Sequence, residues 1–181
     1  MINKTELETL LLKAPTYYQY YISLVGTNEN IVDYLHRQEL EFMQWADAQS
    51  NFSWDFRYAD GKWSMKEVLG HIIDTERIMQ YRALCFARLE EKPLPGFEED
   101  NYVEAARFSE RKIETLLEEF KAVRMSSISL FRNLHVHDWT VEGIANGVKM
   151  SVASIAYMIG GHHHHHWNVL KERYLGENAA L

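Results

Sequence analysis

Apolar residues recur every three to four positions in four long stretches of the chain, which is the spacing of an amphipathic α-helix. The stretches cover about residues 28–48, 64–89, 109–134 and 151–174. No stretch shows the strict alternation of apolar and polar residues that indicates a half-buried β-strand. Helices that each bury one apolar stripe must pack against one another. The pattern therefore predicts an all-α protein, a four-helix bundle in a single domain that spans residues 1–181.

Local signals mark the limits of the second long helix. Ser64 and Glu67 have the spacing of a capping box, in which each side chain accepts a hydrogen bond from a backbone N–H at the helix start. The helix cannot continue through Pro93, Pro95 and Gly96. The segment that follows, to about residue 107, has a length that suits a crossover between helices.

Two other segments lie outside the four helical stretches. Thr5 and Glu8 form a capping box and predict a short N-terminal helix, which a tyrosine-rich segment at residues 17–21 follows as a cover for the bundle. Residues 135–148 show no helical period. They contain Asn146-Gly147, which favours a turn, so we expect a loop there.

Composition and charge narrow the class of protein. The chain is 46% hydrophobic and 25% charged, which is typical of a soluble globular domain. A net charge of −7 without a stripe of Lys and Arg argues against nucleic acid as a partner. The start of the chain lacks a signal-peptide core, and no window is apolar enough to span a bilayer. The single cysteine, Cys85, fits a reducing compartment, so we expect a cytoplasmic protein with no membrane partner.

Five consecutive histidines, residues 162–166, lie inside the fourth helical stretch. Such a run is usually a purification tag, but here the apolar helical period continues on both sides of it. At 100° per residue, His162 and His166 fall in the middle of the apolar face, His163 and His165 on its edges, and His164 on the opposite side. Imidazoles at i and i+4 can chelate one metal ion. The alternatives are a solvated polyhistidine and core histidines that bond to their neighbours.

His71 on the second helix is the best candidate for a third ligand. It lies about 10 Å along the axis from the start of its helix, while His166 and His162 lie roughly 12 and 18 Å from the end of theirs. These levels match only if the second and fourth helices run antiparallel. Imidazole ligands favour Zn, Ni, Cu or Fe over Mg and Ca. Three protein ligands leave one position for a water or a thiol, which the ion would acidify.

Two carboxylates near His71 are candidates for a catalytic role. Asp74 lies three residues after His71, and Glu76 falls among apolar positions of the same helix. Either could orient an imidazole or act as a general base. The alternatives are a solvated carboxylate for Asp74 and a buried salt bridge to an arginine for Glu76. The chain has no His-Glu-x-x-His, Glu-x-x-His, phosphate-binding glycine loop or Gly-x-Ser-x-Gly motif, so other metal and hydrolase sites lack support.

Longer motifs in the chain resemble the DinB-like superfamily of four-helix metalloproteins, close to the branch of the bacillithiol transferase. The motifs are Trp63 to Arg77, Leu94-Pro95-Gly96-Phe97, and Gly161-His162-x-x-x-His166 followed by Lys171 to Leu175. The resemblance covers nearly the whole chain, from about Tyr17 to Leu175. It implies an up-down-down-up bundle, often a homodimer, in which His71, His162 and His166 bind one divalent ion, Zn or Ni.

The resemblance also implies a reaction. Characterised members of the superfamily transfer a low-molecular-weight thiol to an electrophile, so the chain is expected to be a metal-dependent thiol S-transferase with these two small-molecule substrates. Arg77 and Arg82 are candidates for steering an acidic thiol cosubstrate, and a salt bridge is the alternative role of each. Two other functions stay open. One is a metal-dependent hydrolase with Glu76 or Asp74 as general base, and the other is a stress-associated metal-binding module without catalysis.

Overall fold

Four long α-helices pack into a bundle in the computed structural model, which describes residues 2–49 and 52–177. In chain order the helices are α1 (Lys4–Leu12), α2 (Thr16–Ser23), α3 (Ile31–Ala48), α4 (Met65–Ala87), α5 (Glu99–Ala106), α6 (Ile113–Arg132) and α7 (Val152–Val169). The bundle helices are α3, α4, α6 and α7, and α7 continues into a π-helical turn, Leu170–Tyr174. The prediction of an all-α four-helix bundle with a short helical extension at its N-terminus is confirmed. None of the described helices is both long and apolar enough to cross a bilayer.

The helices α4 and α7 run antiparallel. Tyr174, just beyond α7, donates a hydrogen bond of 2.6 Å to the carbonyl of Trp63, just before α4. At the other end of the bundle, Phe86 near the end of α4 shares a core with Val152 at the start of α7. The start of one helix therefore lies beside the end of the other, which is the arrangement that the position of His71 required.

Contacts of α6 complete the topology. In contacts between α4 and α6 the residue numbers of both helices rise together, so these helices are parallel. In contacts between α3 and α6 one number rises while the other falls, so these helices are antiparallel. The pairs that show this are Arg77 with Glu119 and Gln80 with Ser126, then Leu35 with Arg124 and Phe42 with Phe120. The bundle is thus up-down-down-up in the order α3, α4, α6 and α7, so a long crossover must join the parallel helices α4 and α6.

The capping box that begins α4 is present. The Ser64 side chain accepts a hydrogen bond of 3.3 Å from the Glu67 N–H, and the Glu67 carboxylate accepts one of 2.7 Å from the Ser64 N–H. Arg57 from the preceding loop forms an ion pair of 2.6 Å with the same carboxylate. These contacts satisfy N–H groups that the first turn of a helix leaves without a partner, and they set the position of His71 two turns further on.

The segment before α7 is a 3₁₀ helix, Val136–Thr140, followed by a β-hairpin, so the expectation of a loop at residues 135–148 was wrong. Strand β1 (Glu142–Ala145) pairs antiparallel with β2 (Val148–Ser151). Asn146 and Gly147 form the turn with φ of 51° and 72°, which is the two-residue connection that suits the twist of paired strands. Leu94 donates a hydrogen bond of 2.9 Å to Ile144, which ties the crossover to the hairpin. Each strand has four residues, too few to show an alternating pattern.

The crossover carries two elements that the sequence pattern did not reveal. Helix α5 lies within it, and a 3₁₀ turn, Phe108–Glu110, occupies the position where the sequence predicted the start of the third long helix. Phe108 is buried against α4, and a Cβ atom on Gly70 would lie 2.3 Å from its ring. The close packing of Phe108 on a glycine therefore holds this turn in place and delays α6 until Ile113.

Helix α7 is the central element of the fold, and every residue from Val152 to His163 is buried. The prediction of a single apolar face was wrong for this part of α7. Tyr157 falls beside His164 on a helical wheel, opposite the apolar face, but it is 2% exposed. The reason is that α1 and α2 cover α7 in addition to the other bundle helices. At Gly161 a Cβ atom would lie within bonding distance of the Tyr21 carbonyl, so only glycine allows α2 to cross α7 there.

Candidate metal centre

Three histidines from two helices meet inside the bundle. His71 lies on the second turn of α4, and His162 and His166 lie one turn apart on α7. The Nε2 atom of His162 lies 3.0 Å from that of His71 and 3.1 Å from that of His166. Their ligand atoms all lie within 4.8 Å of one another. The structure thus brings together the three histidines that the sequence singled out, in a group that can hold a metal ion.

The three imidazoles are neutral at pH 7. Burial lowers the pKa of His71 to about 4. Burial also holds the pKa values of His162 and His166 well below the usual range, and the neighbouring imidazoles lower them further. A neutral imidazole is the form that ligates metals. Three Nε2 atoms converge on one point, and hydrogen bonds cannot satisfy all of them there, because two neutral imidazoles share at most one hydrogen bond. A divalent cation can accept all three lone pairs, so this donor set fits such an ion.

The low histidine pKa values predict acid lability of the metal-free protein. An unfolded histidine has a pKa of about 6.5. The neutral form of His71 therefore contributes stability above that pH, and the contribution is lost as the pH falls from about 6.5 toward the folded value of about 4. The loss for His71 alone amounts to about 3 kcal/mol, at 1.36 kcal/mol per pH unit. Urea denaturation at a series of pH values measures it, and His71→Gln should show a shallower slope; equal slopes would contradict the prediction.

His163 belongs to a buried polar network that joins all four bundle helices. Its Nδ1 atom accepts a hydrogen bond of 3.2 Å from Nη2 of Arg124, which is fully buried on α6. Arg124 also donates to Glu76 of α4 at 2.9 Å, and to the Gln38 side chain at 2.9 Å and the Leu35 carbonyl at 3.2 Å, both on α3. His163 is 1% exposed, so it is a core residue and not the peripheral one that the helical wheel indicated.

Glu76 has a structural role in this network. Both of its carboxylate oxygens accept hydrogen bonds from Arg124, and its side chain is 2% exposed. The structure therefore shows the buried salt bridge that was the alternative for this residue. The candidate role as general base is not supported, because the carboxylate faces Arg124 and not the three imidazoles.

Asp74 and Arg77 lie in a surface cluster away from the three histidines. Arg77 pairs with Glu119 of α6 and lies 3.6 Å from Asp74. Burial raises the pKa of Asp74, and the charge of Arg77 opposes that rise. Neither residue lines the cavity in front of His71. The salt bridge is thus the observed role of Arg77, and Asp74 forms an ion pair instead of a bond to His71.

His164 and His165, the remaining two histidines of the run, bond to tyrosines. Nδ1 of His164 lies 3.0 Å from the hydroxyl of Tyr34, and Nδ1 of His165 lies 3.2 Å from the hydroxyl of Tyr20. The ring of His165 also packs edge-on against that of His166, with 4.9 Å between centroids. Both residues are half-buried and lie outside the group of three Nε2 atoms. His165 therefore supports the orientation of His166 through ring packing.

Glu99 is a polar residue at the site that the sequence analysis missed. It is the first residue of α5, and its Oε2 atom lies 3.7 Å from Nε2 of His71. Burial raises the pKa of Glu99, and the neighbouring carboxylates of Asp100 and Glu98 raise it further. The only signal in the sequence is the acidic run after Gly96, because residues in a crossover have no periodic relation to a helix that they cover.

A cavity of about 410 Å³ lies in front of His71 and His162. On α4 the wall of the cavity consists of four residues that follow one another at intervals of one helical turn: His71, Thr75, Met79 and Arg82. The remaining wall comes from the tyrosines of α2, from Met158 of α7, from the hairpin and from residues 97–99. Of the two candidate arginines, Arg82 is the one that lies in this cavity.

Comparisons with known proteins agree with this fold. The model of the DinB superfamily matches residues 34–170, a range that includes all three histidines. A similar solved structure is YfiT from Bacillus subtilis, described as a probable metal-dependent hydrolase with an unusual four-helix bundle topology. It has a TM-score of 0.68 and 16% sequence identity, covering 82% of this chain and 87% of that chain, which shows a shared fold. No curated protein sequence matches. Because the family model matches most of its length, the chain belongs to the DinB superfamily.

Proposed function

We propose that the chain is a metal-dependent enzyme that holds one divalent ion, Zn or Ni, on His71, His162 and His166. In its reaction a low-molecular-weight thiol is joined to an electrophilic substrate. The observation that carries the proposal is the convergence of three neutral Nε2 atoms, two of which belong to histidines that line a cavity of about 410 Å³. An ion held by these three neutral ligands would keep its full charge, and it would lower the pKa of a bound thiol enough to give a thiolate at neutral pH.

Residues around the three histidines prepare the site for this chemistry. The rings of Trp63 and Tyr21 pack against those of His71 and His162, with 4.9 and 5.4 Å between centroids, and thereby hold the imidazoles in place. The cavity places a small substrate beside the two histidines that line it. The carboxylate of Glu99 lies close enough to His71 to accept the proton that the thiol releases.

A metal-dependent hydrolase is the second candidate function. A carboxylate 3.7 Å from His71 is also in a position to take a proton from an attacking water. YfiT, whose structure resembles this one, is described as a probable metal-dependent hydrolase. Glu99 and not Glu76 or Asp74 would then be the general base, because those two carboxylates are held in ion pairs.

Assays of the metal-loaded protein test the two functions against each other. We expect Zn- or Ni-loaded protein to conjugate a small thiol to monochlorobimane, and we expect chelation or the change His162→Ala to abolish turnover. The matched control His164→Ala, in the same histidine run, should retain it. Hydrolysis of an activated ester without any thiol would favour the second function. Stoichiometric metal with no turnover of either kind would refute both and leave a binding module.

A further inference from the structure

Arg82 is a buried cation without a counter-charge. Arg82 is 2% exposed, and its Nη2 atom donates a hydrogen bond of 2.8 Å to the carbonyl of Pro95. Nη1 lies 3.6 Å from the Met79 sulfur, which is a weak acceptor. Among the described residues, no Asp or Glu carboxylate forms an ion pair with it. A guanidinium has five N–H donors, so Arg82 keeps donors free.

Arg82 differs in its bonding partners from Arg124, which is buried on α6. Arg124, equally buried, is bonded to the carboxylate of Glu76, the amide of Gln38 and a backbone carbonyl. Burial of a charge costs free energy unless a partner and hydrogen bonds compensate it. Arg82 instead has the Pro95 carbonyl and the neutral Tyr18 hydroxyl as partners, and it borders a cavity. The missing partner is therefore expected inside the cavity.

The surroundings of Arg82 favour a carboxylate. The guanidinium lies 5.9 Å from the centre of the Phe97 ring. The hydroxyl of Tyr18 lies close enough that the charge of Arg82 lowers the pKa of Tyr18, against a larger rise from burial. The guanidinium of Arg82 has one positive charge and a planar pair of N–H donors, and the Tyr18 hydroxyl is a further donor. This set matches a carboxylate, which has one negative charge and accepts two parallel hydrogen bonds. A phosphate dianion would need more positive charge than this part of the cavity holds.

In the metal-free protein the two ends of the cavity carry opposite charge. His71 and Arg82 are eleven residues apart on α4, which separates their Cα atoms by roughly 16 Å along the helix axis. Thr75 and Met79 line the wall between them. Glu99 lies at the His71 end, and Arg82 is at the other. A ligand that complements both ends is elongated and has its negative charge at one terminus.

We propose that Arg82 binds the carboxylate of an elongated small organic acid whose opposite end lies at the three histidines. The assignment of that reactive end rests on the proposed function, while the carboxylate site does not. Arg82 thus selects anionic substrates or cosubstrates, and neutral molecules of the same length bind less well. The partly apolar wall between the two ends, which includes Met79 and Met158, contacts the middle of the ligand.

Calorimetry on the metal-free protein tests the carboxylate site alone. The probes are hexanoate and its neutral counterpart hexanamide. We expect hexanoate to bind about tenfold more tightly, as is typical of a charge-assisted hydrogen bond. The change Arg82→Met should remove this preference, and the control Arg88→Met, at an exposed arginine of the same helix end, should keep it. Equal affinity for the two probes, or a preference that survives Arg82→Met, would overturn the proposal.

Melting curves separate this role from a structural one. If Arg82 only anchored Pro95, then Arg82→Met would lower the melting temperature and hexanoate would not raise it in either protein. A ligand-binding role predicts that hexanoate raises the melting temperature of the natural protein and not that of the folded Arg82→Met variant. A hexanoate effect of equal size in both proteins would contradict the proposal.

Probes that carry a thiol at one end test whether a single ligand occupies both the metal site and the Arg82 site. With metal-loaded protein we expect mercaptohexanoate to bind more tightly than mercaptohexanol, and we expect Arg82→Met to equalise them. If the metal does not bind but metal-free protein still prefers hexanoate, the proposed function fails and the Arg82 site stands. If the metal binds but the carboxylate confers no advantage, the Arg82 proposal fails and the proposed function stands.

Discussion

Replacement of Arg124 by Met is expected to lower the free energy of unfolding by about 3–5 kcal/mol. The substitution leaves the Glu76 carboxylate buried without its cation, because both of its oxygens accept hydrogen bonds from Arg124. Gln38 and His163 lose a donor as well. Stability of a domain is typically about 5–15 kcal/mol, so the variant should be close to the threshold of folding. Urea denaturation at pH 7 measures the effect.

The double variant Arg124→Met with Glu76→Leu is the control for this interpretation. Removing both partners leaves no unpaired carboxylate in the core, and buried ion pairs replaced by apolar residues often cost little. We therefore expect the double variant to be more stable than Arg124→Met alone, although it carries one more change. If the second substitution lowered stability further, the ion pair would not be the main contribution of these residues.

Loss of bound metal is the second large effect, expected for His162→Ala. The Nε2 atom of His162 lies at the centre of the three, within 3.0 and 3.1 Å of the other two, so its removal leaves two separated ligands. Loss of an outer partner of a ligand typically costs 10–100-fold in metal affinity, and loss of a ligand should cost more than about 100-fold. Elemental analysis of protein without an added tag measures the metal content, which we expect to fall from one ion per chain to none.

His71→Ala and His164→Ala provide a matched comparison for the metal site. His71 contributes to the group from α4, whereas His164 lies in the histidine run but bonds to Tyr34. We expect His71→Ala to lose the ion and His164→Ala to keep it. The opposite result would show that the run binds metal by itself and would refute the assignment of the site.

The helices and two of the three metal-site positions follow from local sequence rules. Apolar period and caps, such as Ser64 with Glu67, act within a few residues and therefore specify where a helix begins. The spacing of His162 and His166 places both on one side of a helix whatever surrounds it. His71 required one further step, a comparison of axial levels, which match only if the second and fourth helices run antiparallel.

Other features depend on contacts between distant segments and were beyond such rules. The helical wheel assumes one buried face, but α1 and α2 cover a second face of α7, where Tyr157 is buried. His163 is buried because Phe42 of α3 and Phe120 and Arg124 of α6 pack against it. Glu99 reaches His71 because the crossover packs on α4, and no periodic pattern specifies that packing. The partner of Glu76 was open for the same reason, since Arg124 lies 48 positions away.

The distance in sequence between the metal-site residues has a consequence for how the site is assembled. His71 and His162 are 91 positions apart, so they approach each other only when α7 has packed against α4. A metal ion that binds the complete group stabilises only the folded chain, and its binding energy adds to the stability of the fold. Occupancy of this site would therefore depend on correct folding, and a shortage of metal would shorten the lifetime of the protein as well as abolish any metal-dependent reaction.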